Sequence, residues 1–259
     1  MFTWDSKQYV EFVNERTQPA VDLVSRIQLS SPAKIVDIGC GPGNSTYVLA
    51  ERFPHADILG VDSSEDMIQT AQKTYPSLHF RKCDARTELS GLGNDFDIVF
   101  SNACIQWIPG HPVLIKSMMN MLRTGGVLAV QTPMNYDEPI HKIITAVTTS
   151  IRWKEKFPAP RVFYNLTPGE YYDLLSELTG TFTLWQTTYY HRMKSHNAIM
   201  EWYRGTGLRP YISVLQEKDR KIFESEIYDE VVKAYPVQKN GEIIFRFPRF
   251  FMLAEKPSL

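Results

Sequence analysis

A glycine-rich turn between a short apolar run and a helix-like pattern constrains this chain more than any other segment does. Lys34-Ile35-Val36 reads as a buried strand, Asp37-Ile38-Gly39-Cys40-Gly41-Pro42-Gly43 as the turn, and Asn44-Ser45-Thr46-Tyr47-Val48-Leu49 as the start of a helix. Strand, glycine turn and helix in that order form a crevice of the nucleotide-binding type. The glycine spacing decides which ligand suits it. A dinucleotide fingerprint needs G-x-G-x-x-G, and from Gly39 that requires glycine at position 44, which is occupied by Asn44. The pattern present is D-x-G-x-G-x-G. Each glycine lets the backbone approach a ligand where a Cβ would collide. Asp37, at the strand end, can sit near a cationic group directly or through water. Such a turn also serves as a tight strand-to-helix connection with no ligand, so the following segments have to discriminate.

Ala56-Asp57-Ile58-Leu59-Gly60-Val61-Asp62 reads as a second strand ending in an acid. Asp62 lies about 20 residues past the glycines, where a nucleotide fold places the carboxylate that grips ribose hydroxyls. Ser63 or Ser64 can cap the next helix through Glu65, Asp66 and Met67. Met67 is on the side expected for adenine, although a methionine at helical spacing is more often core. Leu78 to Ala85 is a third strand ending in Asp84, within reach of an adenine amino group. Phe96 to Ala103 is a fourth strand and Gly126 to Gln131 a fifth. One glycine turn followed by acids or amides at successive strand ends resembles class I S-adenosylmethionine (SAM)-dependent methyltransferases over about residues 30–133. The resemblance implies an α/β, Rossmann-like fold with a seven-stranded, mostly parallel sheet and a helical lid. It also implies SAM as donor and S-adenosylhomocysteine as product. Asp37, Gly39, Gly41, Asp62 and Asp84 would hold the donor, helped by Ser63, Met67, Ala85 and Asn102.

Composition narrows the partners. A net charge of −1 over 259 residues supplies no global field for nucleic acid. No stretch approaches the roughly 18 apolar residues of a membrane span, and no secretory pattern opens the chain. Cys40, Cys83 and Cys104 are too far apart for a C-x-x-C metal site and read as reduced thiols, which suits a cytoplasmic protein. The six histidines show no metal spacing, so no metal is expected. His191 and His196, beside a strand–helix junction, are the two to test as a base.

Three regions are expected. Residues 1–29 form an N-terminal helical lid, with Pro19 starting a second helix. Residues 30–133 form the SAM-binding α/β core. Residues 134–259 complete the sheet, with helical substrate-lid insertions at 134–166 and 196–240. Thr167-Pro168-Gly169-Glu170 is a capping box opening a helix. Phe182 to Tyr190 is a late strand. Ile243 to Ala254 is another, and Pro248 within it argues for an edge position or a bulge.

Methyl transfer from a sulfonium is an in-line displacement that mainly requires alignment. Enzymes acting on amide or exocyclic amine nitrogen often carry [DN]-P-P-[YF] at the fourth strand end. Here that position reads Ser101-Asn102-Ala103-Cys104. A carboxylate nucleophile is already charged at pH 7 and would call for arginines, whose guanidinium grips carboxylates bidentately. Tyr203, Arg204 and Arg209 fall together in a late segment, and Arg246 and Arg249 lie among phenylalanines on the last strand. Each arginine faces either a pocket or solvent. Gln106 and Trp107, just past strand four, lie under the expected methyl, where the tryptophan walls the sulfonium by cation–π contact or packs on the sheet. Arg16 and Gln18 close over the methionine carboxylate of SAM, or Arg16 pairs with a surface acid. Asn102 accepts from the SAM amine or simply ends its strand.

Trp4-Asp5, Tyr9, Phe12, Arg16, Pro19-Ala20 and Asp22-Leu23 look like the opening of trans-aconitate methyltransferases. Tyr203-Arg204-Gly205-Thr206-Gly207-Leu208-Arg209-Pro210 is similar to that family's late segment, and Asn102-Ala103 with Gln106-Trp107 to its fourth strand end. This resemblance implies SAM-dependent esterification of one carboxylate of a small polycarboxylate, with a small anionic carboxylate as partner and neither nucleic acid nor membrane. Gln106, Trp107, Tyr203, Arg204, Arg209 and Arg246 would then form the catalytic and substrate-holding set. Two other readings stay open: methylation of a carrier-bound or hydrophobic acid, and a SAM-binding protein without turnover.

Overall fold

A computed structural model describes residues 13–157 and 162–258, with side chains from residue 17 onward. Trp4, Asp5, Tyr9, Phe12 and the side chain of Arg16 lie outside the described residues. Seven strands form one sheet in the order β3-β2-β1-β4-β5-β7-β6. They are β1 (Lys34–Ile38), β2 (Asp57–Asp62), β3 (His79–Lys82), β4 (Phe96–Asn102), β5 (Leu122–Pro133), β6 (Phe182–Met193) and β7 (Ile243–Glu255). The first five pair in parallel, and β7 runs antiparallel between β5 and β6. Phe96 to Ser101 of β4 is buried throughout, as expected of a parallel strand covered on both faces.

The helices are α1 (Val13–Ser25), α2 (Asn44–Arg52), α3 (Glu65–Thr74), α4 (His111–Asn120), α5 (Pro139–Thr148), α6 (Pro168–Leu178), α7 (His196–Arg204), α8 (Arg209–Ile212) and α9 (Glu217–Ala234). On one sheet face, Ala20, Leu23 and Val24 of α1 and Leu49 of α2 pack on Ile35, Ile98, Phe100, Ala129 and Phe251. On the other face, Leu114, Ile115 and Met118 of α4 and Tyr171 and Leu175 of α6 pack on Val36, Val99 and Leu128. A third apolar cluster joins α5, α7, α8 and α9 to Ile243, Phe245 and Phe247. Those three β7 residues precede Arg249, which pairs with Pro133 at the carboxyl end of β5. The helical segments between β5 and β7 therefore gather beyond the carboxyl edge of the sheet.

The capping box at Thr167 is present: its hydroxyl accepts from Glu170 N–H, and the Glu170 carboxylate accepts from Thr167 N–H. Two local expectations change. Pro19 lies inside α1, which is a single helix from Val13 to Ser25. Pro248 lies on an interior strand, and β6 is the edge. The paired register between β7 and β5 starts at Arg249, so Pro248 sits at the end of that ladder, where its C=O accepts from Met134 N–H at 3.0 Å and its lack of an N–H coincides with the end of the pairing.

Candidate active site

The glycine turn owes its shape to contacts that forbid side chains. Gly39 has φ +76°, and a Cβ there would lie 2.2 Å from Cys104 Sγ and 2.3 Å from Cys104 Cβ. Gly41 (φ +55°) has open space where its Cβ would be, and its N–H donates to Asp62 Oδ2 at 3.1 Å. Asp62 Oδ1 accepts from Ser64 N–H at 2.8 Å. One carboxylate thus ties the ends of β1 and β2 together. Burial pushes its pKa up, against the pull of the backbone N–H groups.

Asp37 is fully buried at the end of β1. Its Oδ2 accepts from the hydroxyls of Ser45 at 2.6 Å and Thr46 at 2.7 Å, at the start of α2. Its Oδ1 is buried without a hydrogen-bond partner. Desolvation raises its pKa to about 6 even though both hydroxyls oppose the shift. Asn102 Oδ1 is a second buried acceptor without a partner. Two vacant acceptors beside a glycine turn fit a ligand carrying an ammonium group, because burying unmet acceptors is costly.

The other donor-site candidates are arranged around this turn. Met67 is buried, Ser63 is exposed, and Ser64 is the residue that caps α3. Ala85 packs against the core. Asp84 pairs with Arg86, whose guanidinium holds its carboxyl below the usual range. Gln18 is exposed and donates to Asp22 Oδ1 at 2.8 Å.

Next to this crevice is a cavity of about 90 Å³. Ala103, Gln106, Trp107 and Pro133 line it from the sheet edge, Asn135, His141 and Phe163 from the segment after β5, and Trp202 and Tyr203 from α7. Phe247 and Arg249 line it from β7. Ala103 has φ +54°, in the left-handed region that residues with a side chain seldom adopt. This bend directs the chain into a single 3₁₀ turn, Ile105–Trp107. Gln106 is buried there, donating through Nε2 to Ala103 C=O at 2.7 Å and accepting from Thr132 Oγ1 at 3.3 Å. Trp107 packs on Phe163, ring centroids 4.9 Å apart. His111 braces the turn from below: Nε2 donates to Ile105 C=O at 2.9 Å, leaving Nδ1 to accept from the Tyr171 hydroxyl at 2.6 Å.

Tyr203 is 3 % exposed. Its hydroxyl accepts from Asn135 Nδ2 at 3.3 Å and shares a hydrogen bond with His141 Nε2 at 2.9 Å. Gly207 leaves room for the ring, since a Cβ there would lie 2.5 Å from Tyr203 Cδ1. Arg249 is 4 % exposed, its guanidinium 4.2 Å from the Phe247 ring centroid.

Of the residues singled out for substrate, the fold brings Gln106, Trp107 and Tyr203 to the cavity and keeps Arg204, Arg209 and Arg246 away. Arg204 follows Tyr203 by about 100° around the helix and pairs with Glu224 of α9 at 2.8 Å. Arg209, half-exposed at the start of α8, is not part of the lining. Arg246 points to the β7 face opposite Phe247 and Arg249, because strand side chains alternate. It is 54 % exposed and 3.6 Å from Glu138. Neither histidine named as a base holds that position. Burial and the charge of Arg249 push His191 down to about 4, and His196 Nε2 donates to Tyr235 C=O at 2.8 Å. His141, Asn135 and Phe163 had no local signal in the sequence; a histidine paired with a tyrosine 62 residues away is visible only in three dimensions.

Comparisons with known proteins bear on the fold and the family. A methyltransferase domain model matches residues 35–126. The fold resembles that of the YcgJ protein from Bacillus subtilis (TM-score 0.60, 13% identity, covering 93% of this chain and 100% of that one). It also resembles phosphoethanolamine N-methyltransferase 2 of Haemonchus contortus in complex with S-adenosyl-L-methionine (TM-score 0.53, 18% identity, covering 93% of this chain and 53% of that one). Trans-aconitate 2-methyltransferase of Azoarcus sp. strain BH72 is 42% identical over 98% of this chain and 99% of its own length. The protein of that name from Escherichia coli O157:H7 is 38% identical over 99% of each. With SAM as its cofactor, and with this identity running over nearly its whole length, the chain belongs to the trans-aconitate 2-methyltransferase family of class I methyltransferases.

Proposed function

We propose that the protein transfers a methyl group from SAM to one carboxylate of trans-aconitate, forming a monomethyl ester. The observation that carries this reading is a buried arginine, Arg249, beside the aromatic rings of the cavity at the carboxyl ends of β4 and β5. A guanidinium removed from water and laid along an aromatic ring binds a carboxylate strongly, because a charge-assisted bidentate pair gains most where water is excluded.

Bound SAM supplies a methyl group activated on a sulfonium. Asp62 would accept from ribose hydroxyls, and Asp37 and Asn102 from the α-ammonium. Arg249 would hold one carboxylate of the substrate, and the Tyr203, His141 and Asn135 network a second polar group. Gln106 and Trp107, fixed on the 3₁₀ turn, would set the angle at which the reacting oxygen meets the methyl. A carboxylate is ionised at neutral pH, so no side chain has to remove a proton, and His191, held near 4, is not required as a base. The aromatic walls Trp107, Phe163, Trp202 and Phe247 exclude water, which otherwise solvates the nucleophile.

A radiolabelled methyl-transfer assay over mono-, di- and tricarboxylates tests the reading. The expected outcome is base-labile label on trans-aconitate at a kcat/KM at least tenfold above that for monocarboxylates. Equal turnover of a monocarboxylate and a tricarboxylate would reject it.

A further inference from the structure

Gln131 lies on β5 with its side chain fully buried, and neither Oε1 nor Nε2 has a hydrogen-bond partner. A buried primary amide left unpaired at both ends is costly, and folded proteins keep such groups chiefly where a ligand completes them. Its surroundings indicate which ligand. Register pairs Gln131 with Asn102 on β4 and with Phe251 on β7, and Asp37 pairs with Phe100, two residues before Asn102. Register partners share a face and alternate residues return to it. Asp37, Asn102 and Gln131 therefore stand on one face, at the carboxyl ends of three adjacent strands.

Asp37 Oδ1 and Asn102 Oδ1 are buried and unmatched in the same way. Beside α2, this face is covered by α1, whose Ala20, Leu23 and Val24 pack on Phe100, Ala129 and Phe251. Thr17, one turn earlier on the same stripe, contributes another buried hydroxyl without a partner, Oγ1. By contrast, two neighbouring core polar side chains are satisfied: Ser101 donates to Ile38 C=O, and His111 bonds at both nitrogens. The unmet groups under α1 thus form a cup of acceptors, with the Gln131 amide N–H₂ and the Thr17 hydroxyl as donors.

A cup of this composition suits a zwitterion with adjacent ammonium and carboxylate groups. We infer that Gln131 contacts the amino-acid end of the methyl donor, its Nε2 donating to the carboxylate and its Oε1 accepting from the ammonium beside Asn102. The inference rests on the donor site described above. The methylated substrate is the less suitable occupant, since Pro133 and Arg249 line the substrate cavity and Gln131 does not.

The test is calorimetric, on the full chain. Gln131→Leu removes both polar atoms at similar volume, and Gln131→Met is the alternative if the branched side chain impairs folding. Removing an unmatched buried amide should raise the Tm of the ligand-free protein. Affinity for S-adenosylhomocysteine should fall on the order of 10- to 100-fold. Affinity for 5′-methylthioadenosine, which lacks the amino-acid end, should stay within about twofold. Two outcomes would overturn the inference. Parallel loss of both ligands with a lowered Tm would make Gln131 structural. Unchanged S-adenosylhomocysteine affinity with a raised KM for the carboxylate would move it to the substrate side.

Discussion

Asp62 holds the glycine turn together and, in the proposed donor site, would also bind ribose. Its carboxylate already accepts from Gly41 and Ser64, which leaves its outer lone pairs for ribose hydroxyls. Asp62→Ala should weaken SAM binding by about 1–3 kcal/mol, measured by calorimetry; unchanged affinity would refute the ribose role. Asp37 adds a pH signature. Its folded pKa, about 6, is above the ordinary 3.8 because of burial, so between these values the native state binds more protons than the unfolded one. The stability of the free protein therefore falls as pH rises through that window. An ammonium beside Asp37 favours its ionised form. Donor binding should accordingly expel a proton below about pH 6 and weaken between pH 7 and pH 5. Calorimetry in buffers of different ionisation enthalpy checks this, and affinity independent of pH would count against the contact. The arginines separate the same way. Arg249→Gln should raise KM for a tricarboxylate on the order of 10- to 100-fold, whereas Arg204→Gln should leave it within about twofold, having lost only an ion pair with Glu224. Steady-state kinetics of the two variants side by side decides which arginine serves the substrate.

At the scale of elements, the turn from β1 to α2 and the turn after β4 are one device. Cys104 occupies the space a side chain at Gly39 would need, so the glycine turn and the 3₁₀ turn carrying Gln106 and Trp107 pack directly against one another. Gly39→Ala meets both a strained φ and a Cβ collision, a combined cost of roughly 2 kcal/mol or more. A lowered Tm and lost S-adenosylhomocysteine binding are expected. Cys104→Ala should not rescue it, because it removes Sγ but retains Cys104 Cβ, which would lie 2.3 Å from the added methyl. Much of this level was legible in the sequence, because strand ends, glycine turns and the Thr167 capping box are local patterns. Arg204 and Arg246 fall outside the cavity for an equally local reason: nearness in sequence is not a shared direction. A helix rotates each successive residue and a strand alternates them, so Tyr203 and Arg204 diverge, and Phe247 and Arg249 share a face that Arg246 leaves.

Across the whole molecule, the proposed donor crevice and the cavity beside it draw on separate packing units. The donor crevice is built on β1, β2 and β4, and the cavity beside it is closed by helices gathered beyond the carboxyl edge. Ligand binding should therefore stabilise the fold as a whole. S-adenosylhomocysteine at 100 times its Kd contributes about 2.7 kcal/mol, an upward Tm shift of about 5–10 °C for a chain of this size. Scanning calorimetry measures it, and no shift would disconnect the crevice from the fold. The sequence by itself determined the α/β core, the glycine turn and the acids at the strand ends, because each follows from periodicity or spacing within a few dozen residues; the kind of donor came from the family resemblance those motifs carry. Only the tertiary structure decided that Arg249 is buried, that His141 and Asn135 meet at Tyr203, and that Gln131 shares a face with Asp37 and Asn102. Those groups come from distant segments, and strand register, helix rotation and burial determine which of them face one another.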